Sequence, residues 1–452
     1  MERGEADQSG KQFIHRAAVV HNSYVSDSPS GEDVVVEEEC RLLQTQGLAV
    51  YRYSRFNDEL KGATAGKLAL AALQAPWSVR SYCAMRGFLA RYKPDVVHVH
   101  NTFPLISYSV VDACHDVGVP CVATIHNYRF VCANGLLLRD GQPCEECLKA
   151  GSVLPGLRYR CYRKRLIATI PVAATIAVNH ARALWLRRLS AIIALTEFQK
   201  ARLVASGAPA DKVVVKPNFV QAASAPLEWG NREPGLLFVG RLSHEKGIQL
   251  LMDMWKRLGG AAGKLTVIGD GPLRSEVQRG CPEGIEFLGQ LPRDEVMRRM
   301  RRARVLVFPS ICFEGFPLTI VEAFSCGVPV IASRIGGIPE IVSGGVGELV
   351  NPGDAGAWCE AILRFSRNSD RLESMGENAL DRYRSLYSPE RNIEILMNVY
   401  ERVASIGSRV RGQHADRKNH AEPGAEESSP VKVAAEPANE TFTCIPCPRQ
   451  PQ

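Results

Sequence analysis

Short apolar runs rich in β-branched residues recur along the chain, each followed by a polar break and then a segment of helical period. In the first half they fall at 13–21, 48–53, 95–100, 120–125, 190–195 and 212–216. In the second half they fall at 236–240, 265–269, 285–288, 304–308 and 328–332, and 347–350 with Asp354 completes the domain. Continuous runs of this length predict strands buried on both faces, as in parallel sheets. Helices are predicted between them, over 34–46, 57–92 with an amphipathic piece at 79–92, and the apolar 166–178. Ser388-Pro389 opens a last helix that should end near residue 405. The alternation predicts an α/β protein with doubly wound parallel sheets. The chain length suits two domains and an extension. The expected division is a disordered 1–12, a first Rossmann-like domain at 13–220, a linker at 221–232 rich in Ala, Ser and Pro, and a second Rossmann-like domain at 233–388. A final helix at 389–407 and a polar, disordered tail at 408–452 follow.

The densest candidate chemistry lies at 308–340. A strand ends at Pro309, a loop carries Glu314, Gly315 and Phe316, and Pro317-Leu318 opens a helix that Gly327 can close. The loop therefore lies at a strand's carboxyl end, where parallel sheets bind ligands. The helix start offers unpaired N–H groups and a positive dipole end, which suit a diphosphate, and Gly315 permits close backbone approach. Glu314 on the loop and Glu322 one turn into the helix can each accept hydrogen bonds from sugar hydroxyls. In isolation they would read as a dipole partner and a solvent-facing residue. A second strand-to-helix turn, Gly240-Arg241-Leu242-Ser243-His244-Glu245-Lys246-Gly247, sets two cations where they can neutralise a leaving diphosphate. A third, Ser30-Gly31-Glu32-Asp33, allows close approach at Gly31. His98 and His100 share one face of their strand, and His126 follows Thr124-Ile125 at a strand end.

These strings resemble the retaining glycosyltransferases of the GT-B fold, family four (glycosyl transferases group one), over residues 13–405. The E-x7-E pair Glu314 and Glu322, with its flanking PS…EGFPL…EA…CG.PV…GG.PE, carries the likeness, together with GR…EKG, IGDGP, ALTEF and KPNFV. The resemblance implies two facing Rossmann-like domains with the active site in the cleft, the first holding the acceptor and the second the nucleotide-sugar donor. It implies that Arg241 and Lys246 bind the donor phosphates with the backbone around Gly315, Phe316, Pro317 and Leu318. It also implies that Glu314 meets the donor sugar, Glu322 the ribose, and His126 the sugar in the cleft, with Gly31 and Gly240 as close-approach positions and His100 a weaker acceptor contact. Gly336 and Gly337 are weaker candidates still. Ser30 replaces the first of the family's usual pair of adjacent glycines. No carboxylate base is expected, because the leaving phosphate takes the acceptor's proton. No D-x-D string lies in the cleft stretches, so no divalent ion is expected to be needed for catalysis.

Two features fall outside that pattern. The long connection 127–165 carries Cys132, Cys144, Cys147 and Cys161, with a C-x2-C at the middle pair. Four thiolates on one loop can hold a structural zinc; four reduced thiols are the competing reading. The insertion resembles one in a bacterial subgroup acting in polysaccharide assembly. Second, Arg158, Arg160, Arg163, Lys164 and Arg165 precede the apolar helix, and Arg182, Arg187 and Arg188 follow it. A basic, apolar helix of this kind can rest on an anionic membrane, so 158–188 is a candidate for peripheral contact and the acceptor a candidate lipid-linked glycan.

Composition narrows the partners. A formal net charge of +7 is mild and calls for no nucleic acid, while it suits acidic ligands. Fourteen cysteines without a leader at 1–12 argue against a disulfide framework, and a cytoplasmic location, reaching the inner face of the cytoplasmic membrane, is expected. A non-catalytic nucleotide-sugar scaffold and a sugar-nucleotide epimerase are the readings to be distinguished. Intact Arg241, Lys246, Glu314 and Glu322 argue against the first, and no epimerase motif is present.

Overall fold

The computed structural model describes residues 14–24, 30–222, 225–367 and 369–419. Six parallel strands build the first sheet: β1 (Arg16–Ser23), β2 (Ala49–Phe56), β3 (Val96–Asn101), β4 (Cys121–Thr124), β5 (Ala191–Ala194) and β6 (Val213–Val215). Their spatial order is β2-β1-β3-β4-β5-β6. The second sheet contains β7 (Glu233–Val239), β8 (Leu265–Ile268), β9 (Ile285–Gly289), β10 (Ala303–Phe308), β11 (Val330–Ser333) and β12 (Gly347–Val350). It too is parallel throughout, in the order β9-β8-β7-β10-β11-β12. These are the two doubly wound sheets expected from the pattern of buried runs. The central strands carry no exposed residue, because helices cover both faces.

Helix starts follow local chemistry. Helix α1 (Gly31–Thr45) begins three residues before the expected 34–46, because Ser30 caps it. The Ser30 hydroxyl accepts from Asp33 N–H, and Asp33 accepts from Ser30 N–H at 2.8 Å. The serine that breaks the double glycine is therefore a helix cap. The expected helical stretch 57–92 divides into Ala65–Gln74 and Val79–Tyr92, with Ser78 capping the second. The apolar helix α2 (Leu166–Ala181) keeps Pro171 inside. Helix α3 (Glu197–Ala205) is capped by Thr196, and α4 (Leu318–Ser325) follows Pro317, which stands one position before the first helical residue.

The last helix, α5 (Pro389–Asn419), runs past the expected end near 405, so residues 408–419, expected in the disordered tail, continue it. Its buried face (Leu396, Val399, Tyr400, Val403) packs with Ala17, Leu43, Val96 and Ile193 of the first domain, so the chain ends on the domain where it began. Residues 1–12 and 420–452, also expected to be disordered, lie outside the described residues. Among the described residues no helix is long and apolar enough to cross a membrane.

Candidate active site

In the second sheet β7 and β10 are adjacent although not consecutive, so the connections leaving their carboxyl ends part in opposite directions and open a crevice. The loop after β7 brings Gly240, Arg241 and Lys246 there; the loop after β10 brings Glu314, Phe316, Pro317 and Leu318. Opposite stand residues from strand ends of the first domain: Gly31 and Glu32 after β1, His126 after β4, Leu195 after β5 and Asn218 after β6. One cavity between the domains is lined by all of these. Among the predicted residues, it gathers Gly31, His126, Gly240, Arg241, Lys246, Glu314, Phe316, Pro317 and Leu318.

The two cations differ in state. Lys246 Nζ lies 2.7 and 2.9 Å from the Glu314 carboxylate oxygens, and Ser310 Oγ donates to Glu314 at 2.7 Å. Burial works against the Lys246 ammonium, but the Glu314 carboxylate prevails and holds its pKa above the ordinary lysine value. Arg241 is exposed at the cavity wall and makes no ion pair among the described residues. The amino end of α4 adds backbone N–H groups on the same side. The donor set therefore suits a multiply charged anion.

His126 ends a buried chain of polar groups. Its Nε2 lies 2.9 Å from His100 Nδ1, with the rings stacked at 5.2 Å. His100 Nε2 lies 3.2 Å from Glu39, whose other oxygen accepts from Lys216 at 2.8 Å. Burial would raise the Glu39 carboxyl, but Lys216 and the two imidazoles hold it well below the usual range. Burial and the His98 ring push His100 down to about 3, and burial and His100 push His126 well below ordinary histidine. The His100 and His126 imidazoles are therefore held in their neutral form. Glu39, His98 and His100 also place ligand atoms within 4.8 Å of one another, but the Lys216 ammonium already supplies the cation that this cluster needs.

Two predicted residues lie off the cavity. Gly315 packs on the first domain: a Cβ there would stand 2.2 Å from the His126 carbonyl oxygen. Glu322 is buried and pairs with Arg293 at 3.0 Å, beside the loop after β9; burial raises its carboxyl and Arg293 opposes this. Of the weaker candidates, Gly337 packs against Thr196 and Gly336 against Phe313. Cys132, Cys144, Cys147 and Cys161 line a separate small cavity in the insertion.

Sequence reasoning missed Glu32. It lines the cleft, burial raises its carboxyl, and its Oε1 has no hydrogen-bond partner among the described residues. Its position beside a capped helix start was visible, but its burial beneath Tyr24 and near Arg129 follows from tertiary packing. Glu340 was also missed: its carboxylate accepts from Glu197 N–H at 2.8 Å and Phe198 N–H at 2.5 Å, so the second domain caps a helix of the first.

A second cavity shares His126 and extends into the first domain past His100, Asn101, Arg129, Thr175 and Asn179 to Ala75. Apolar side chains stand exposed on both segments that reach it: Leu68, Leu70 and Leu73 on Ala65–Gln74, and Leu166, Ile167 and Ile170 on α2. Ile167 is 86% exposed and Leu73 78%.

Residues 26–218 match the family described as glycosyl transferase 4-like domain, and residues 233–368 the family described as glycosyl transferases group 1. The phosphatidyl-myo-inositol mannosyltransferase of Mycobacterium leprae is 30% identical over 270 residues, 54% of this chain and 71% of that one. The amylovoran biosynthesis glycosyltransferase AmsK of Erwinia amylovora is 28% identical over 193 residues, 39% of this chain and 47% of that one. For several of the curated relatives the match spans about half of their length. In structure, Anabaena HepE in complex with UDP superposes with a TM-score of 0.56 at 16% identity, covering 85% of this chain and 99% of that one, which bears on the fold.

Proposed function

The chain belongs to the group 1 glycosyl transferases, and from that membership we propose that it moves a sugar from a nucleotide diphosphate donor to a hydroxyl acceptor with retention at the anomeric carbon. The observation that carries this reading is the convergence of Arg241, Lys246 and the amino end of α4 on one interdomain cavity, with His126 and Glu32 facing them. The bond from the anomeric carbon to the leaving diphosphate oxygen breaks with its electron pair passing to that oxygen, and Arg241 and Lys246 neutralise the negative charge that grows there. The acceptor oxygen bonds to the anomeric carbon on the same face, and its proton passes to the leaving phosphate oxygen. This scheme assigns no step to a metal ion. Glu314, held by Lys246 and Ser310, and neutral His126 orient the transferred sugar. Glu322 beside Arg293 receives the ribose hydroxyls outside the inner cavity. Glu32 accepts from a sugar hydroxyl on the acceptor side.

The acceptor in this reading is a lipid-linked glycan entering through the second cavity, and the reaction belongs to cell-surface polysaccharide or glycoconjugate assembly at the cytoplasmic face of a membrane. AmsK, named for amylovoran biosynthesis, is a relative of that kind. Support comes from Leu73, Ile167 and Ile170, exposed on the segments that also supply Ala75, Thr175 and Asn179 to that cavity, and from Arg158, Arg160, Arg163, Lys164 and Arg165, all exposed before α2.

Calorimetry with UDP and GDP, with and without magnesium, tests the donor assignment. Magnesium-independent binding of one nucleotide that is lost in Arg241→Ala supports it. Binding with no transfer to any acceptor would favour a non-catalytic scaffold. Flotation with vesicles should require anionic lipid, and flotation indifferent to lipid charge would remove the membrane reading.

A further inference from the structure

Between His126 and α2 the chain has little regular structure: a hairpin pairing Leu138–Arg139 with Gln142–Pro143, and single helical turns at Glu146–Lys149 and Leu154–Arg158. Yet this segment builds part of the cleft. Tyr128 OH donates to the Glu314 carbonyl at 3.3 Å, and Asn127 and Arg129 line the second cavity. Tyr128, Phe130, Val131 and Leu137 tie the segment to the core of the first domain, and a metal staple would add to that anchorage where regular elements are short. Its four cysteines come from three places: the turn after Phe130, the stretch from the hairpin into the first helical turn, and the residues after the second. They meet around one small cavity. We propose that this cavity is a structural Zn2+ site liganded by Sγ of Cys132, Cys144, Cys147 and Cys161.

Burial pushes the Cys132, Cys147 and Cys161 thiols up, so the bound metal itself would draw off their protons. Cys132 opens the turn Cys-Ala-Asn-Gly, its Sγ donates to Asn134 Oδ1 at 3.0 Å, and the backbone N–H groups of Asn134, Gly135 and Leu137 lie near that sulfur. Gly156 N–H lies near the Cys147 sulfur, and a Cβ at Gly156 would stand 3.6 Å from that sulfur and 3.2 Å from Ala133 Cβ. Arg139 lines the cavity as a cation, and Glu146, the carboxylate there, is engaged by it. An all-thiolate set selects zinc over harder divalent ions. In this structure the four sulfurs are not gathered as closely as the Glu39, His98 and His100 atoms. Zn–S bonds of about 2.3 Å bring sulfurs to about 3.8 Å from one another, so binding draws the hairpin and both turns inward. Four S–H bonds give way to four S–Zn bonds, and four protons pass to solvent.

Metal analysis of the full-length protein, purified without chelator, should give one zinc per chain. Replacement by Co2+ should produce thiolate-to-cobalt charge transfer and tetrahedral d–d bands. Cys144→Ser and Cys147→Ser should each lose the metal, whereas Cys83→Ser, at an exposed thiol elsewhere, should keep it. Chelation should speed amide exchange in 127–165 and leave the two sheets protected. Four alkylatable thiols with no metal, iron in place of zinc, or a non-reduced mass short by two hydrogens for each cysteine pair would each overturn the site. The cobalt spectrum of the unsubstituted protein decides the matter even where a serine variant fails to fold.

Discussion

Lys246 has to serve two anions. Glu314 holds it in this structure, and a donor diphosphate would compete for the same three N–H donors. Lys246→Ala should lower kcat by about 10²–10³, the cost of one preorganised donor to a developing oxyanion. Arg241→Ala, at a side chain without an ion pair among the described residues, should lose a comparable amount with little effect on stability; urea unfolding alongside kinetics separates the two. The histidines give a pH prediction. His100 is buried and held down to about 3, so between that value and the unfolded value of about 6.5 the unfolded chain binds a proton that the native one does not. Stability should therefore fall as pH drops below about 6.5, by about 1.4 kcal/mol per unit for such a group, and be flat in this respect above it. His100→Asn should flatten that slope in denaturation curves taken from pH 4 to 7. At this scale Arg241, Lys246 and Glu314 were legible because local strings fix their place at strand ends. Glu32 was not, since its burial depends on Tyr24, His21 and Arg129, which no spacing brings together.

Elements were legible where burial is two-sided. Eleven of the twelve strands in the two six-stranded sheets lie where apolar runs predicted them, with ends shifted by a few residues; β12, with Gly347 and Glu348, has no such run. The outward apolar face of Ala65–Gln74 was not legible, because an apolar helical period predicts a core contact and this helix has no buried residue. Ile167→Gln with Leu73→Gln should abolish flotation with anionic vesicles while leaving transfer to a short water-soluble acceptor within a few-fold; unchanged flotation would assign these side chains to another surface. The loop before α4 makes a different demand. A methyl group at Gly315 would collide with the backbone at His126, so Gly315→Ala should push the loop away from the first domain and cut kcat while both sheets stay folded. Circular dichroism with single-turnover kinetics checks it.

At the scale of the molecule, contacts across the cleft were beyond sequence reasoning, because they depend on how two independent sheets meet. Glu340 capping α3 and Tyr128 bonding the Glu314 carbonyl are of this kind. Glu340→Ala should remove a cap worth about 1 kcal/mol from the closed arrangement. It should raise donor KM several-fold with kcat nearly unchanged, and small-angle scattering should show a larger radius of gyration.

Helix α5 holds to the first domain through more than apolar packing. Asn392 accepts from the buried Lys216 ammonium at 3.1 Å and donates to the Pro217 carbonyl at 2.7 Å, and Tyr400 OH meets His98 Nδ1 at 2.8 Å. The polar groups beneath His126 are thus completed by residues encoded at the far end of the chain. Exchange of domains between relatives is constrained accordingly. A crossover in the linker would seat a foreign helix on Lys216, Glu39 and His98. A working chimera has to recombine twice, once in the linker and again before Pro389, so that the last helix travels with the first domain.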